Sequence, residues 1–261
     1  MQTISTSGIT LHIRDEGPRD GRAVMFGNSL GTDLRVWDAL LPLLPDGLRL
    51  VRYDKRGHGL SDAAPAPYAM PDLVGDAEAI CDSLDLREVT FVGLSIGGLI
   101  GQGLAARRPD LVRALVLMDT AAKIGTAQMW QDRIDTITRD GIAALAGPIL
   151  ERWFTPGFRT MNPECPLWRN MLTRTTVAGY AGCCAAIAGA DLTESTRALT
   201  LPVMAMAGDQ DGSTPPDLVR ATAGLCGAEF HLITDAGHIP CVEQPAVTAQ
   251  LIADFLERTA P

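Results

Sequence analysis

Seven short apolar runs punctuate the chain: TLHIR (10–14), AVMF (23–26), LRLVRY (48–53), VTFVG (89–93), VRALVLM (112–118), PVMAMA (202–207) and EFHLI (229–233). Their length and β-branched content predict strands. Most are nearly continuous rather than alternating, as expected for strands buried on both faces of a parallel sheet. Residues 70–84, 96–107, 216–225 and 246–257 carry helical spacing. In the last of these Val247, Leu251, Ile252 and Phe255 recur on one predicted face, and Pro245 suits a first-turn position. Strands alternating with helices predict an α/β fold with a mostly parallel central sheet and flanking helices.

Residues 121–195 break that alternation. They hold helical stretches, among them MWQDRIDTITRDGI and the small-residue run VAGYAGCCAAIAGAD, and no convincing strand; the sheet pattern resumes at Leu201. A helical insertion over the sheet is the simplest account. The expected organisation is a core from residues 1–120 and 196–261, with residues 121–195 as a helical cap.

With 261 residues, 46% of them hydrophobic, the chain can bury a substantial core. The formal charge of −9 and the scattered Lys and Arg argue against nucleic-acid or anionic-membrane partners. No stretch reaches the roughly 18 apolar residues that would span a bilayer, and MQTISTSGITLHIRDEG lacks the basic-then-apolar character of a leader. A cytoplasmic location is expected. The cysteines at 81, 165, 183, 184, 226 and 241 form no CxxC pair, and in a reducing compartment they are expected to be free core thiols.

The candidate chemistry centres on VGLSIGGLIGQG (92–103). Gly93-Leu94-Ser95-Ile96-Gly97 follows a predicted strand and opens a predicted helix, the context in which G-x-S-x-G forms a nucleophile elbow. Glycines permit the sharp turn, and the helix N-terminus favours negative charge developing beside Ser95. The plainer alternative is a glycine-rich turn with a helix-capping serine. A serine needs a base. Of the four histidines, His12 and His231 fall inside strand patterns, and His58 in YDKRGHGLSD precedes the serine, whereas such enzymes run serine, acid, histidine. His238, in TDAGHIP after the last strand, is the candidate base. The loop AGDQDGSTPP offers Asp209 and Asp211 as its acid, and spacing alone does not choose between them. Oxyanion donors are expected from the amide of Ile96 and from the loop GNSLG (27–31), with Leu30 as the candidate. No His/Cys/Asp cluster has metal spacing and no dinucleotide or Walker loop occurs, so no cofactor is expected.

Over essentially its whole length the chain resembles serine α/β-hydrolases, with FGNSLGTDLRVW, YDKRGHGLSD, GLSIGGLIGQ, AGDQD and AGHIPCVEQP in that superfamily's order. The resemblance implies that the acid is the fourth residue of Gly208-Asp209-Gln210-Asp211, hence Asp211. More narrowly, NSLGTDLRVWD, LMDTAAKIGTAQMWQDRI and TVAGYAGCCAAIAGADL resemble the 3-oxoadipate enol-lactonases of the β-ketoadipate pathway. Asn28-Ser29 replaces the superfamily's common His-Gly, a feature shared with that group. The implied substrate is a small enol-lactone bearing a carboxymethyl group. Its carboxylate calls for a cation in an acidic protein, and a planar guanidinium suits it. The insertion supplies Arg133, Arg139, Arg152, Arg159, Arg169 and Arg174; Arg133 is the first candidate, with Trp130 as a pocket wall, because both lie in the most lactonase-like stretch. A general carboxylesterase, a cofactor-free haloperoxidase-like enzyme and a ligand receptor on the same scaffold are the competing readings.

Overall fold

Each predicted apolar run forms a strand in the computed structural model, which describes residues 1–260. The strands are β1 (Gln2–Thr6), β2 (Ile9–Glu16), β3 (Arg22–Gly27), β4 (Leu48–Tyr53), β5 (Val89–Leu94), β6 (Val112–Met118), β7 (Val203–Gly208) and β8 (Glu229–Ile233), in one sheet ordered β1-β2-β4-β3-β5-β6-β7-β8. The pairs β1/β2 and β2/β4 are antiparallel; all others are parallel. This is the expected α/β architecture.

The apolar pattern does not predict β1, since Ile4 is the one buried side chain of QTIST. A hairpin recruits it: Ser7 and Gly8 adopt φ of 48° and 79°, which suits a two-residue turn, and Thr6 then faces Ile9 across the ladder. At the other edge β8 has only Ile233 buried, because no strand covers its outer side. The centre is different. Leu115, Val116 and Leu117 of β6 are fully buried, and each such side chain stabilises the fold by about 1.5–3 kcal/mol.

The helices are α1 (Met70–Ser83), α2 (Ile96–Arg107), α3 (Ala127–Asp140), α4 (Ala146–Trp153), α5 (Pro156–Met161), α6 (Cys165–Thr173), α7 (Val177–Ala188), α8 (Thr193–Arg197), α9 (Pro216–Cys226), α10 (Pro240–Glu243) and α11 (Pro245–Arg258). The buried face of α11 runs through Thr248, Ala249, Ile252, Phe255 and Leu256, while Val247 is 49% exposed. The predicted face is therefore rotated: Val247 lies outside it, and Thr248, Ala249 and Leu256 lie within it. Between β6 and β7 every regular element is helical. There α3 packs on α7 and α4 on α6, and the Phe154 and Phe158 rings stack at 4.5 Å. Close contacts fasten these helices to the rest: Thr176 Oγ1 donates to Gly57 O at 3.2 Å, and a Cβ on Gly179 would lie 2.3 Å from Gly57 O. No helix among the described residues is long and apolar enough to cross a membrane.

Candidate active site

Ser95 stands between the fully buried strand β5 and the first turn of α2. Its backbone, at φ 58° and ψ −120°, lies outside the regions open to side-chain-bearing residues, at a cost of about 1–3 kcal/mol. Four hydrogen bonds hold it there: Ser95 N–H to Met118 O (2.9 Å), and to Ser95 O from Thr120 Oγ1 (2.6 Å), Gly98 N–H (2.8 Å) and Leu99 N–H (3.3 Å). The glycines are required by close approach. A Cβ on Gly97 would lie 2.0 Å from Gly27 O, and one on Gly93 would lie 2.4 Å from Gly97 O. The Ser95 hydroxyl does not cap α2, so the plainer alternative of a helix-capping serine does not describe this turn.

His238 follows β8, on the loop before α10, and Asp211 follows β7. His238 Nδ1 lies 2.9 Å from Asp211 Oδ2, with both side chains buried. A carboxylate can only accept, so Nδ1 carries the proton and Nε2 is left as a base. Asp211 is further fixed by the amides of Ser213 (2.6 Å) and Thr214 (3.1 Å) and by Thr214 Oγ1 (2.7 Å). Burial pushes its carboxyl up, but the His238 charge and these hydrogen bonds outweigh it and hold the group below the usual range. Asp209 instead accepts from the Ala236 amide at 3.3 Å. The histidine loop is braced in turn: His238 N–H donates to Trp153 O (2.9 Å), and Glu243 accepts from the amides of Gly237 (2.6 Å) and Thr155 (3.0 Å).

The loop after β3 carries Asn28, Ser29, Leu30 and Gly31. Asn28 is spent on structure, donating to Tyr53 O and accepting from Trp37 Nε1, both at 2.7 Å. Lys55 Nζ donates to Ser29 O (2.5 Å) and Thr32 O (3.1 Å). His58 Nε2 accepts from Gly31 N–H at 3.0 Å, while its Nδ1 donates to Arg56 O at 3.2 Å. Burial, then the Lys55 charge, hold His58 well below the usual histidine range, so it stays neutral. The amides of Leu30 and Ile96 have no acceptor among the described residues, although both residues are buried. Buried unpaired N–H groups are rare, and here one is the residue after Ser95 and the other lies on the loop that packs against its turn.

Trp130 is buried, its Nε1 donating to Ile124 O at 2.7 Å, and the Arg133 guanidinium lies 4.8 Å over its ring. Arg133 also sits beside Tyr180: burial pushes that phenol up, and the Arg133 charge opposes it. The Tyr180 ring in turn packs on Gly31, where an added Cβ would lie 3.2 Å from Cε2. Arg133 and Arg152 share a groove of about 480 Å³ with Met129, Pro148 and Ile149, and Ser95, Asp211 and His238 are not part of its lining. Neither arginine makes an ion pair among the described residues, whereas Arg139 and Arg159 pair with Asp140 and Glu151.

Residues 22–245 match the family described as having the alpha/beta hydrolase fold. The chain belongs to the α/β-hydrolase family. Its relatives include 3-oxoadipate enol-lactonase 2 of Acinetobacter baylyi, 35% identical over 98% of this chain and 96% of that protein. Among solved structures, the enol-lactonase from Burkholderia xenovorans is 35% identical with a TM-score of 0.95 over 98% of this chain and all of that one. A thermophilic esterase from Thermogutta terrifontis, solved with malate bound, has a TM-score of 0.93 at 27% identity over the full length of both chains.

Around this α/β-hydrolase turn stand groups that motif reading passes over. Asp119 follows β6, and one atom each of Asp119, Asp211 and His238 lie within 4.8 Å of one another. Burial, then the Asp211 charge, hold the Asp119 carboxyl well above its usual range. Thr214 and Glu243 carry no signal in sequence, because their value depends on which loop they meet. Lys55 is visible in YDKRGHG, but its target, the carbonyl of Ser29, lies 26 positions away.

Proposed function

We propose that this α/β-hydrolase opens 3-oxoadipate enol-lactone to 3-oxoadipate through an acyl-enzyme on Ser95, as a step of aromatic-compound catabolism. The observation that carries the reading is the buried Asp211–His238 pair at the carboxyl edge of the sheet where Ser95 is held in a strained turn. The two enol-lactonases in the comparisons, matched over the helices between β6 and β7 as well as the sheet, support the substrate. In this reading residues 121–195 are the cap over a core of residues 1–120 and 196–261.

In the proposed mechanism His238 Nε2 takes the Ser95 proton as Oγ attacks the lactone carbonyl, and the oxyanion accepts from the amides of Leu30 and Ile96. Collapse breaks the ring C–O bond and expels the enolate oxygen, which takes the proton from His238; the enol then tautomerises to the ketone. Water, deprotonated by His238, attacks the acyl-enzyme and frees Ser95. Asp211 holds the imidazole in the Nδ1–H tautomer and stabilises its cation. Arg133 is the proposed partner of the substrate carboxylate. It is unpaired, held by Trp130 and linked through Tyr180 to the Leu30 loop.

The esterase likeness at TM-score 0.93 favours a second reading, in which neutral esters are the better substrates. Loss of enol-lactone absorbance, measured beside p-nitrophenyl acetate hydrolysis with Ser95→Ala as control, separates the two. The expected outcome is a lactone kcat/KM near about 10⁶ M⁻¹s⁻¹, far above the ester's, and collapse of both activities in the variant. An ester preference sinks the lactonase assignment, and activity surviving Ser95→Ala sinks the serine mechanism.

A further inference from the structure

The chain has two lysines, and one of them, Lys55, is fully buried. It makes no ion pair among the described residues: neighbouring Asp54 accepts from His12 Nδ1 and from the amides of Leu34 and Leu60, and Asp33 pairs with Arg35. Its ammonium rests on two backbone carbonyls, Ser29 O at 2.5 Å and Thr32 O at 3.1 Å. Burying an ammonium away from a counter-charge is expensive, and two carbonyls of one buried loop are a poor return if stability alone is counted.

The geometry of the peptide unit supplies another purpose. Ser29 C=O and Leu30 N–H belong to one planar trans peptide, so they point in opposite directions. Whatever grips the oxygen sets the aim of the N–H. A cationic donor grips more strongly than a neutral one, and it draws electrons toward the oxygen, which makes the N–H a better donor. The next peptide is pinned as well, because Gly31 N–H donates to neutral His58. Leu30, whose amide has no acceptor of its own, thus sits between two anchored peptide planes.

We propose that Lys55 is a positioning residue, whose ammonium aims and polarises the Ser29–Leu30 peptide so that the Leu30 N–H receives the oxyanion. The proposal rests on the reading of Leu30 and Ile96 as oxyanion donors to an acyl group on Ser95. Lys55 never touches substrate. It acts on the transition state through the carbonyl, so its loss lowers kcat and the affinity for tetrahedral adducts while leaving ground-state binding alone.

The test compares wild type, Lys55→Met and Ser95→Ala at pH 7, with kcat and KM on the lactone and the inhibition constant of phenylboronic acid, which places an oxygen in the hole when serine adds to it. Thermal melts report folding. Removing an oxyanion donor outright costs about 10²–10³-fold in kcat, so weakening one is expected to cost about 10–100-fold, with KM within about threefold and the boronate constant raised in step with the loss in kcat. A folded Lys55→Met enzyme with kcat and boronate affinity within about threefold of wild type overturns the proposal, as does a loss confined to KM. Ser95→Ala that remains active overturns the underlying reading instead. If Lys55→Met does not fold, the wild-type pH profile decides. The groups facing Lys55 are Asp54, Asp33, His58 and Cys183 of α7; burial dominates their influence and brings the Lys55 ammonium down to about 8. The charge is present below that pH and lost above it, so kcat is expected to fall at least about threefold between pH 7 and 9.5 while the protein stays folded. A flat profile overturns the proposal.

Discussion

Asp209 and Asp211 stand two positions apart in one loop, yet their carboxylates serve different partners. Asp211 meets His238 and three further donors, while Asp209 ties down the Ala236 amide. Asp211→Asn removes the acceptor that selects the His238 tautomer, and kcat on the lactone is expected to fall about 10³–10⁴-fold. Asp209→Asn keeps an acceptor oxygen for Ala236, and kcat is expected to stay within about threefold. Steady-state kinetics at pH 7 on the two variants checks both, and equal losses would mean that the observed pairing is not the working one. G-x-S-x-G and the TDAGHIP loop made Ser95 and His238 legible in sequence. Asp119 was not, because what lifts its carboxyl is burial together with the charge of a neighbour 92 positions away.

Between elements, what matters is how closely α2 lies against the sheet. Gly27 of β3, Gly93 of β5 and Gly97 of α2 meet backbone to backbone, which allows Ser95 to be presented at the strand end. Gly97→Ala pushes a methyl group into Gly27 O. It is expected to destabilise by about 1–3 kcal/mol and to lower kcat by disturbing the Leu30 loop, which starts at Gly27. Gly75→Ala in α1 is the matched contrast. An added Cβ there meets nothing within 4 Å, and the better helix propensity is expected to raise stability by up to about 1 kcal/mol. Thermal melts of the two variants check the pair of signs. Helical spacing in the sequence located both helices, but not the difference between these two glycines, which comes from the surface each one faces.

Across the whole molecule, a net charge of −9 opposes any anionic substrate, and attraction has to be local. Arg133 and Arg152, both without an ion-pair partner among the described residues, line one groove. Arg133→Ala is expected to lower kcat/KM for the anionic lactone at least about tenfold, the loss of one charge-assisted contact, and to leave a neutral ester within about threefold. Arg152→Ala, measured on the same two substrates, shows whether the groove or the single residue carries the preference, and equal losses on lactone and ester for Arg133→Ala would remove it from the carboxylate site. The order of strands and helices, the elbow at Ser95 and the helical stretch between β6 and β7 were determined by sequence alone, because hydrophobic periodicity and glycine-lined turns are local physics. Strand β1, the buried face of α11, the choice of Asp211 as the partner of His238, the raised Asp119 carboxyl and the grip of Lys55 on Ser29 were decided by tertiary structure. Each depends on a contact between distant segments, and burial, charge and hydrogen-bond direction at such a contact exist only once the chain has closed on itself.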